Sequence, residues 1–139
     1  MMTLGGSSAP FARILIVDDE RDNRELLSVI LGFEGFRTTS AASGEEALVS
    51  ATDDPPDLIL LDVMMPGMDG FEVATRLGSF ASTACVPIII VSALSDRAAR
   101  ERSRQVGAVD FLVKPLDRDV LMAQVRAALG RTKPHAPAA

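Results

Sequence analysis

The alternation of short apolar runs with longer amphipathic segments constrains the fold of this chain more than any other feature. Three of the runs are apolar at nearly every position, which is typical of parallel strands that helices cover on both faces. Two more runs complete a set of five predicted strands: RILIV (13–17), RTTSA (37–41), LILL (58–61), PIIIV (87–91) and DFLV (110–113). The sequence therefore predicts an α/β fold with a single, doubly wound parallel sheet.

Polar residues at the ends of the intervening segments support helices there. Ser43 followed by Glu46 forms a capping box before the second helix, and Pro55-Pro56 closes that helix. Asp117 is placed to cap the last helix. The buried face of the last helix is predicted to consist of Leu121, Val125 and Leu129.

The segment DRAARERSRQV (96–106) predicts an arginine-rich helix. Arg97, Arg100 and Arg104 recur in it at helical spacing. A solvated helix surface is the more frequent meaning of such a pattern, and docking of an acidic partner is the alternative.

The length of the chain fits one domain with short flanks. Its 139 residues, 47% of them hydrophobic, suffice for one core and leave little room for a second. Residues 1–11 are rich in Gly, Ser and Pro, and residues 131–139 in Pro and Ala, so both are expected to be flexible flanks. The folded domain is predicted at residues 12–130.

Charge and cysteine content exclude several classes of function. A net charge of −5 provides no basic field for direct binding of nucleic acid or of an anionic membrane. Cys85 is the only cysteine and His135 the only histidine, so neither an internal disulfide nor a zinc cluster is expected. Without a predicted signal peptide or membrane span, the protein is expected in the cytoplasm.

Polar side chains follow four of the five predicted strands. Ligands of an open parallel sheet bind beyond the carboxyl ends of its strands. Asp18 and Asp19 follow the first strand, Asp62 the third, Ser92 the fourth and Lys114 the fifth. Each one alone is an ordinary turn or capping residue, but their joint occurrence at strand ends indicates a functional site.

The acidic members of this set are expected to meet, because right-handed crossovers let the first and third strands become neighbours. Three carboxylates in one small volume repel each other. Either one carboxyl keeps a proton at a raised pKa, or a hard cation neutralises the group. An oxygen-only site at an open edge suits Mg²⁺, which we favour, with Mn²⁺ as the alternative ion.

A carboxylate beside Mg²⁺ can act as a nucleophile toward a phosphoryl group. The ammonium of Lys114 and the hydroxyl of Ser92 would then bind the other phosphoryl oxygens, assisted by backbone N–H groups near Ala93. Phosphoryl transfer therefore gives every polar group at a strand end a role.

Four segments carry a resemblance to a known family: ILIVDDE, LILLDVMMPGMDGFEV, PIIIVSA and GAVDFLVKP. Together they resemble the receiver domain of bacterial response regulators in two-component signalling, over about residues 12–130. The resemblance implies a flavodoxin-like (βα)₅ fold, similar to that of chemotaxis regulators, with the strands in the order 2-1-3-4-5.

The resemblance also implies roles for individual residues. Asp62 is the implied phosphoacceptor. The implied ligands of Mg²⁺ are Asp19, Asp62 and the backbone carbonyl of Met64, with Asp18 acting through a water molecule.

The remaining implied roles concern the phosphoryl group and the switch. Ser92, the Ala93 N–H and Lys114 would bind the phosphoryl group, and Ser92 and Phe111 would be the switch residues. The Lys114–Pro115 peptide bond would be cis.

The implied mechanism begins with a phosphohistidine, on a sensor histidine kinase or a histidine phosphotransfer protein, that donates to Asp62. Ser92 then moves toward the phosphoryl group and Phe111 turns into the vacated space. The helix at 96–106, the strand at 110–113 and the final helix present an altered face to a downstream protein partner or a second copy of the chain. The domain would catalyse only its own phosphorylation and dephosphorylation.

The resemblance also implies that two positions, which vary among receiver domains, flank the phosphoryl site. Met64 lies two residues after the acceptor and Leu94 two residues after the switch hydroxyl. Neither side chain can orient or activate an attacking water molecule. We therefore expect phospho-Asp62 to hydrolyse slowly.

Other interpretations fit the sequence less well. An aspartyl-phosphate hydrolase requires a second acid where this chain has Met64, and a dinucleotide-binding domain requires glycines where it has VDDERDN. A degenerate receiver that acts as a constitutive interaction module remains the alternative. The sequence fits either a stand-alone regulator or the receiver part of a longer regulator or hybrid kinase.

Overall fold

A computed structural model of the protein describes residues 12–130, and the flanks predicted to be flexible lie outside the described residues. The five predicted strands form one parallel sheet in the order β2-β1-β3-β4-β5. Their bounds are Arg13–Val17 (β1), Arg37–Ala41 (β2), Leu58–Asp62 (β3), Ile88–Ser92 (β4) and Asp110–Val113 (β5). This confirms the predicted doubly wound (βα)₅ architecture and its strand order.

A helix follows each strand. The helices are Arg21–Phe33 (α1), Gly44–Asp53 (α2), Gly70–Gly78 (α3), Arg97–Gln105 (α4) and Arg118–Gly130 (α5). The predicted helix at 96–106 is one residue too long at each end, because Asp96 and Val106 are its caps. None of the helices among residues 12–130 is long and apolar enough to cross a membrane.

The predicted strand at 87–91 is shifted by one residue. Pro87 cannot donate a backbone hydrogen bond, and its carbonyl only accepts one from Ile59 N–H at 3.0 Å, so β4 begins at Ile88. The strand continues through Ser92, just as β3 includes Asp62. Both residues are thus the last of their strands rather than the first residues after them.

Two apolar layers explain why the central strands are hydrophobic at successive positions. Leu15 and Val17 face the layer beneath α2 and α3, whereas Ile14 and Ile16 face the layer beneath α1 and α5. Strands β3 and β4 are buried along their whole length. Alternate side chains therefore serve opposite cores, as in other sheets covered on both faces.

The predicted caps are mostly present. The Ser43 hydroxyl accepts a hydrogen bond from Glu46 N–H at 3.1 Å, while the Glu46 carboxylate accepts one from Ala42 N–H. Asp117 accepts hydrogen bonds from the N–H groups of Asp119 and Val120. Helix α2 ends at Asp53, two residues before Pro55.

Helix α5 has a broader buried face than the sequence predicted. Leu121 and Val125 are buried, but Leu129 is only half-buried. Met122 and Ala128 complete the buried face instead.

Helices α4 and α5 are attached to the domain in different ways. Helix α5 packs on the core through its buried face and is linked to the end of α1, since Glu34 accepts hydrogen bonds from Arg118 at 2.7 Å and Arg126 at 2.6 Å. Helix α4 buries only Ala99 and Ser103. Its attachment to the core is therefore much smaller.

Candidate functional site

The three predicted acidic residues meet at the carboxyl edge of the sheet. Strands β1 and β3 are direct neighbours, and carboxylate oxygens of Asp18, Asp19 and Asp62 lie within 4.8 Å of one another. Asp18 and Asp62 are buried, with 3% and 4% of their surfaces exposed, whereas Asp19 is exposed. The cluster therefore has two buried walls and one side open to solvent.

Lys114 joins this cluster from the end of β5. Its ammonium lies 3.0 Å from Asp62 Oδ1 and 3.3 Å from Asp18 Oδ2. Its backbone N–H donates to the Ser92 carbonyl at 2.8 Å, which fixes the position of the chain after β5. The peptide bond between Lys114 and Pro115 is cis.

Burial dominates the electrostatics of Asp62. It raises the pKa of this carboxyl above the ordinary value of 3.8, and the charges of Asp18 and Asp19 add to the shift, while Lys114 opposes it. For Lys114, burial acts to lower the pKa, but the hydrogen bond and charge of Asp62, with those of Asp18, raise it above 10.5. In this ion pair the charged form of Lys114 is favoured, whereas burial disfavours the charged form of Asp62 more than Lys114 favours it.

We expect Asp62→Asn to increase the free energy of unfolding at neutral pH in metal-free buffer. Because the pKa of Asp62 is raised in the folded state, the unfolded chain loses its proton first as the pH rises. The contribution of Asp62 to wild-type stability therefore falls between pH 3.8 and its folded-state pKa, and the advantage of the variant appears over the same interval. Urea unfolding at several pH values in the presence of a chelator measures this difference. An advantage that is the same at all pH values would contradict the explanation.

Ser92 and its neighbours lie at the end of the adjacent strand. Asp62 pairs with Val91 across β3 and β4, so Ser92 follows directly beside the acidic cluster. The Ser92 side chain is fully buried, and its Oγ accepts a hydrogen bond from Leu94 N–H at 2.9 Å. Ala93 and Leu94 are exposed in the loop that follows.

Met64 lies in the loop after β3, two residues beyond Asp62, and has 58% of its surface exposed. The loop returns directly onto the strand, because Gly70 N–H donates to the Val63 carbonyl at 2.9 Å. A Cβ atom at Gly70 would overlap the Asp62 carbonyl oxygen and lie 2.8 Å from Val63 Cα. The start of α3 therefore packs against the backbone that carries Asp62.

The predicted switch residue Phe111 lies on β5, three residues before Lys114. Its ring is half-buried and packs against the apolar layer beneath α2 and α3. The Arg100 guanidinium lies over this ring, 4.8 Å from its centroid. Phe111 thus links the sheet to α4.

Sequence reasoning missed two residues of α1 that hold Asp18. Asn23 Nδ2 donates to Asp18 Oδ2 at 3.3 Å and to Glu20 Oε1 at 2.9 Å. Arg24 donates to the Asp18 backbone carbonyl at 2.8 Å, and Glu20 N–H donates to Asp18 Oδ1. The only signal in the sequence was their place in the first turns of the helix after the acidic pair.

The donor set fits a hard divalent cation. Three carboxylates face a single ammonium, so two negative charges are not neutralised within the cluster. The available ligand atoms are oxygens, and Asp19 leaves one side open for water molecules, which Mg²⁺ retains in most protein sites. The geometry therefore allows a cation to bind beside the Asp62 carboxylate.

Comparison with known proteins identifies the family. The family model of the response regulator receiver domain matches residues 14–126. Response regulator PleD of Caulobacter vibrioides is 46% identical over 115 residues, which are 83% of this chain and 25% of PleD. Response regulator MprA of Mycobacterium avium is 42% identical over 123 residues, 88% of this chain and 53% of MprA. The chain thus spans about a quarter of PleD and about half of MprA.

A solved structure agrees with these relatives. It is the receiver domain of a sensor histidine kinase from Pseudomonas aeruginosa with a magnesium ion coordinated in the active-site cleft. This domain is 30% identical, covers 87% of this chain and 99% of its own, and superimposes with a TM-score of 0.81. On the family match, the sequence identities and the fold, the chain belongs to the response regulator receiver domains of two-component signalling.

Proposed function

We propose that this receiver domain is a phosphorylation-dependent switch in which Asp62 accepts a phosphoryl group from a phosphohistidine. The donor is a sensor histidine kinase or a histidine phosphotransfer protein. The observation that carries the proposal is a carboxylate at the end of a buried strand, paired with Lys114 and flanked by Asp18 and Asp19. A structural ion pair alone would not require two additional acids at the same point.

In the proposed transfer, an Asp62 carboxylate oxygen attacks phosphorus and forms an O–P bond. The N–P bond of the donor breaks, and its electron pair returns to the imidazole. Lys114, Ser92 and the Ala93 N–H would hold the phosphoryl oxygens and stabilise their charge. The domain therefore catalyses its own modification and no metabolic reaction.

The acidic cluster would bind Mg²⁺, with Mn²⁺ as a substitute. Asp19, Asp62 and the Met64 carbonyl would be direct ligands, and Asp18 would act through a water molecule. Bound Mg²⁺ would reduce the repulsion between the carboxylate and the phosphoryl oxygens. The buried, hydrogen-bonded position of Asp18 agrees with an indirect role, and the exposure of Asp19 agrees with a direct one.

Phosphorylation would then change the surface formed by α4, β5 and α5. Ser92 would exchange its hydrogen bond with Leu94 N–H for one to the phosphoryl group, and Phe111 would turn toward the vacated space. The altered surface would bind a downstream protein or a second copy of the chain. Cytoplasmic location belongs to the same proposal, as does the role of the chain as either a stand-alone regulator or the receiver part of a longer regulator or hybrid kinase.

Intact mass spectrometry after incubation with Mg²⁺ and a small-molecule phosphodonor tests this function. Wild type is expected to gain one phosphoryl group and Asp62→Ala none. Circular dichroism of the variant establishes that it is folded. An adduct that persists in Asp62→Ala, or that never forms on wild type, would overturn the proposal.

The phosphoryl group is expected to be lost faster from a Met64→Asn, Leu94→Glu double variant than from wild type. Both side chains are exposed, each lies two residues after a site residue, Asp62 or Ser92, and neither can orient a water molecule. Introducing an amide and a carboxylate should accelerate hydrolysis by up to about 10²-fold, the lower end of what a positioned general base contributes. The decay of the adduct mass after removal of the donor gives both rates.

A matched control changes two exposed valines that lie on helices and not at the strand ends that form the site. Val29 and Val49 lie on α1 and α2 with 57% and 69% of their surfaces exposed. Val29→Asn, Val49→Glu should leave the decay rate unchanged. Equal rates in the Met64, Leu94 variant and wild type would show that these two positions do not limit hydrolysis.

A further inference from the structure

Helix α4 carries a positive charge that the domain does not neutralise. It contains four arginines and one glutamate in nine residues of a chain whose net charge is −5. Only Arg104 forms an ion pair with a carboxylate, that of Glu101, whereas within residues 12–130 Arg97, Arg100 and Arg102 form none. Arg100 and Arg104 are like charges four residues apart, an arrangement that destabilises a helix.

Three of the arginines form one ridge along α4. Arg97, Arg100 and Arg104 are spaced three and four residues apart, so they lie on one side of the helix, and all three are exposed. Of the three, Arg100 reaches β5, where its guanidinium lies over the Phe111 ring. Arg102 points the other way, with its guanidinium 4.6 Å from the ring centroid of Phe71 on α3. We refer to Arg97, Arg100 and Arg104 as the arginine ridge.

We infer that the arginine ridge is a docking surface for an acidic protein segment, with carboxylates at helical spacing that match the three guanidiniums. Arginine presents a planar array of donors that binds carboxylates in a bidentate manner, so a ridge of this spacing selects acidic side chains. Nucleic acid is the less favourable occupant, because the rest of the chain has an excess of carboxylates that would repel phosphates.

Arg100 connects this surface to the switch, an extension that rests on the proposed function. In the present structure its guanidinium is stacked on Phe111, which restrains it against the domain. When Phe111 turns away after phosphorylation, the stack is broken and the guanidinium becomes available to a partner carboxylate. Phosphorylation of Asp62 should therefore strengthen binding of the acidic segment.

Fluorescence anisotropy tests the docking surface with the unphosphorylated chain. The probe is a labelled helical peptide with glutamates three and four residues apart, and its control carries glutamines instead. Wild type should bind the glutamate peptide, and Arg97→Gln, Arg104→Gln should bind it roughly 2- to 30-fold more weakly, as expected for two exposed ion pairs. The matched variant Arg37→Gln, Arg76→Gln also removes two positive charges. One of its arginines, Arg76, is paired with Glu72, just as Arg104 is paired with Glu101, and the variant should bind the peptide like wild type.

Three results would overturn the docking surface. They are equal weakening in both double variants, equal binding of the glutamine peptide, and tighter binding of a short DNA duplex than of the glutamate peptide. The first would mean that only net charge matters, and the third that the surface selects phosphates.

The same assay tests the coupling after treatment with Mg²⁺ and the phosphodonor. Wild type should bind the glutamate peptide roughly 2- to 5-fold more tightly, the effect of releasing one cation–π contact. Arg100→Gln should gain the phosphoryl group to the same extent by intact mass but show no increase in affinity. An increase that persists in Arg100→Gln, or a phosphorylated wild type without an increase, would overturn the coupling. If no adduct forms on wild type, both the proposed function and the coupling fail. The docking surface is still tested, because its binding assay uses the unphosphorylated chain.

Discussion

Replacing Lys114 by methionine is expected to destabilise the domain by about 3 kcal/mol at neutral pH, because it leaves buried carboxylates without their cation. The ammonium lies 3.0 Å from Asp62 and 3.3 Å from Asp18, whose side chains are 5% and 4% exposed. The expected loss is at the lower end of the range for broken buried pairs, since 28% of the Lys114 side chain is exposed. Urea unfolding in metal-free buffer measures it.

The pH dependence of this loss identifies its cause. The deficit should shrink as the pH falls through the pKa of Asp62, because a protonated carboxyl no longer needs a cation. On the alkaline side, the pKa of Lys114 is raised above 10.5, so its contribution should remain complete up to that pH and disappear only above it. Arg76→Gln, which breaks the exposed pair with Glu72, should cost no more than about 0.5 kcal/mol. A pH-independent deficit in Lys114→Met would instead indicate lost packing.

Gly70→Ala should have a comparable effect for a steric reason. The new Cβ would overlap the Asp62 carbonyl oxygen and lie 2.8 Å from Val63 Cα, so α3 or the end of β3 must shift. Overpacking against a rigid backbone costs typically about 1–3 kcal/mol, and we expect the upper end here. Because the displaced backbone carries Asp62, the yield of phosphoryl adduct should fall together with the stability.

Gly78→Ala is the matched control in the same helix. A Cβ at Gly78 meets no atom within 4 Å, and alanine is the better helix former, so stability should stay constant or rise by up to about 1 kcal/mol. Chemical denaturation gives both values, and intact mass gives the adduct yields. A Gly70→Ala variant as stable and as readily phosphorylated as Gly78→Ala would show that the close approach of α3 to β3 is dispensable.

The strands and helices could be predicted because their signals are local. LILL and PIIIV are too short for helices and too apolar for strands with one wet face, so helices had to cover both sides. The meeting of Asp18, Asp19 and Asp62 followed from topology, since the carboxyl ends of neighbouring parallel strands share one edge. The ends of the strands were predicted less accurately. Pro87 has the apolar character of a strand residue but no N–H to donate, and only the hydrogen bonds between strands show where pairing begins.

The support of the site could not be predicted in the same way. Gly70 is one of ten glycines, and nothing nearby in the sequence shows that its missing Cβ makes room for the Asp62 carbonyl. Asn23 and Arg24 are residues of a type common in the exposed first turn of any helix. Their hydrogen bonds to Asp18 depend on the direction of α1 relative to the end of β1. The stack of Arg100 on Phe111 likewise joins two elements whose relative position only the fold determines.

The shallow attachment of α4 has a thermodynamic consequence for signalling. A helix that buries only one alanine and one serine opens locally at a small fraction of the free energy of global unfolding. Helix α5, by contrast, buries four side chains and is linked through Glu34 to α1. A chemical change on one carboxylate shifts a conformational equilibrium only by the difference between its free energies in the two states. A change of a given size therefore alters the population most where the free energy of displacement is smallest. The population of displaced α4 is therefore the quantity on which a few kcal/mol at Asp62 can have a large effect.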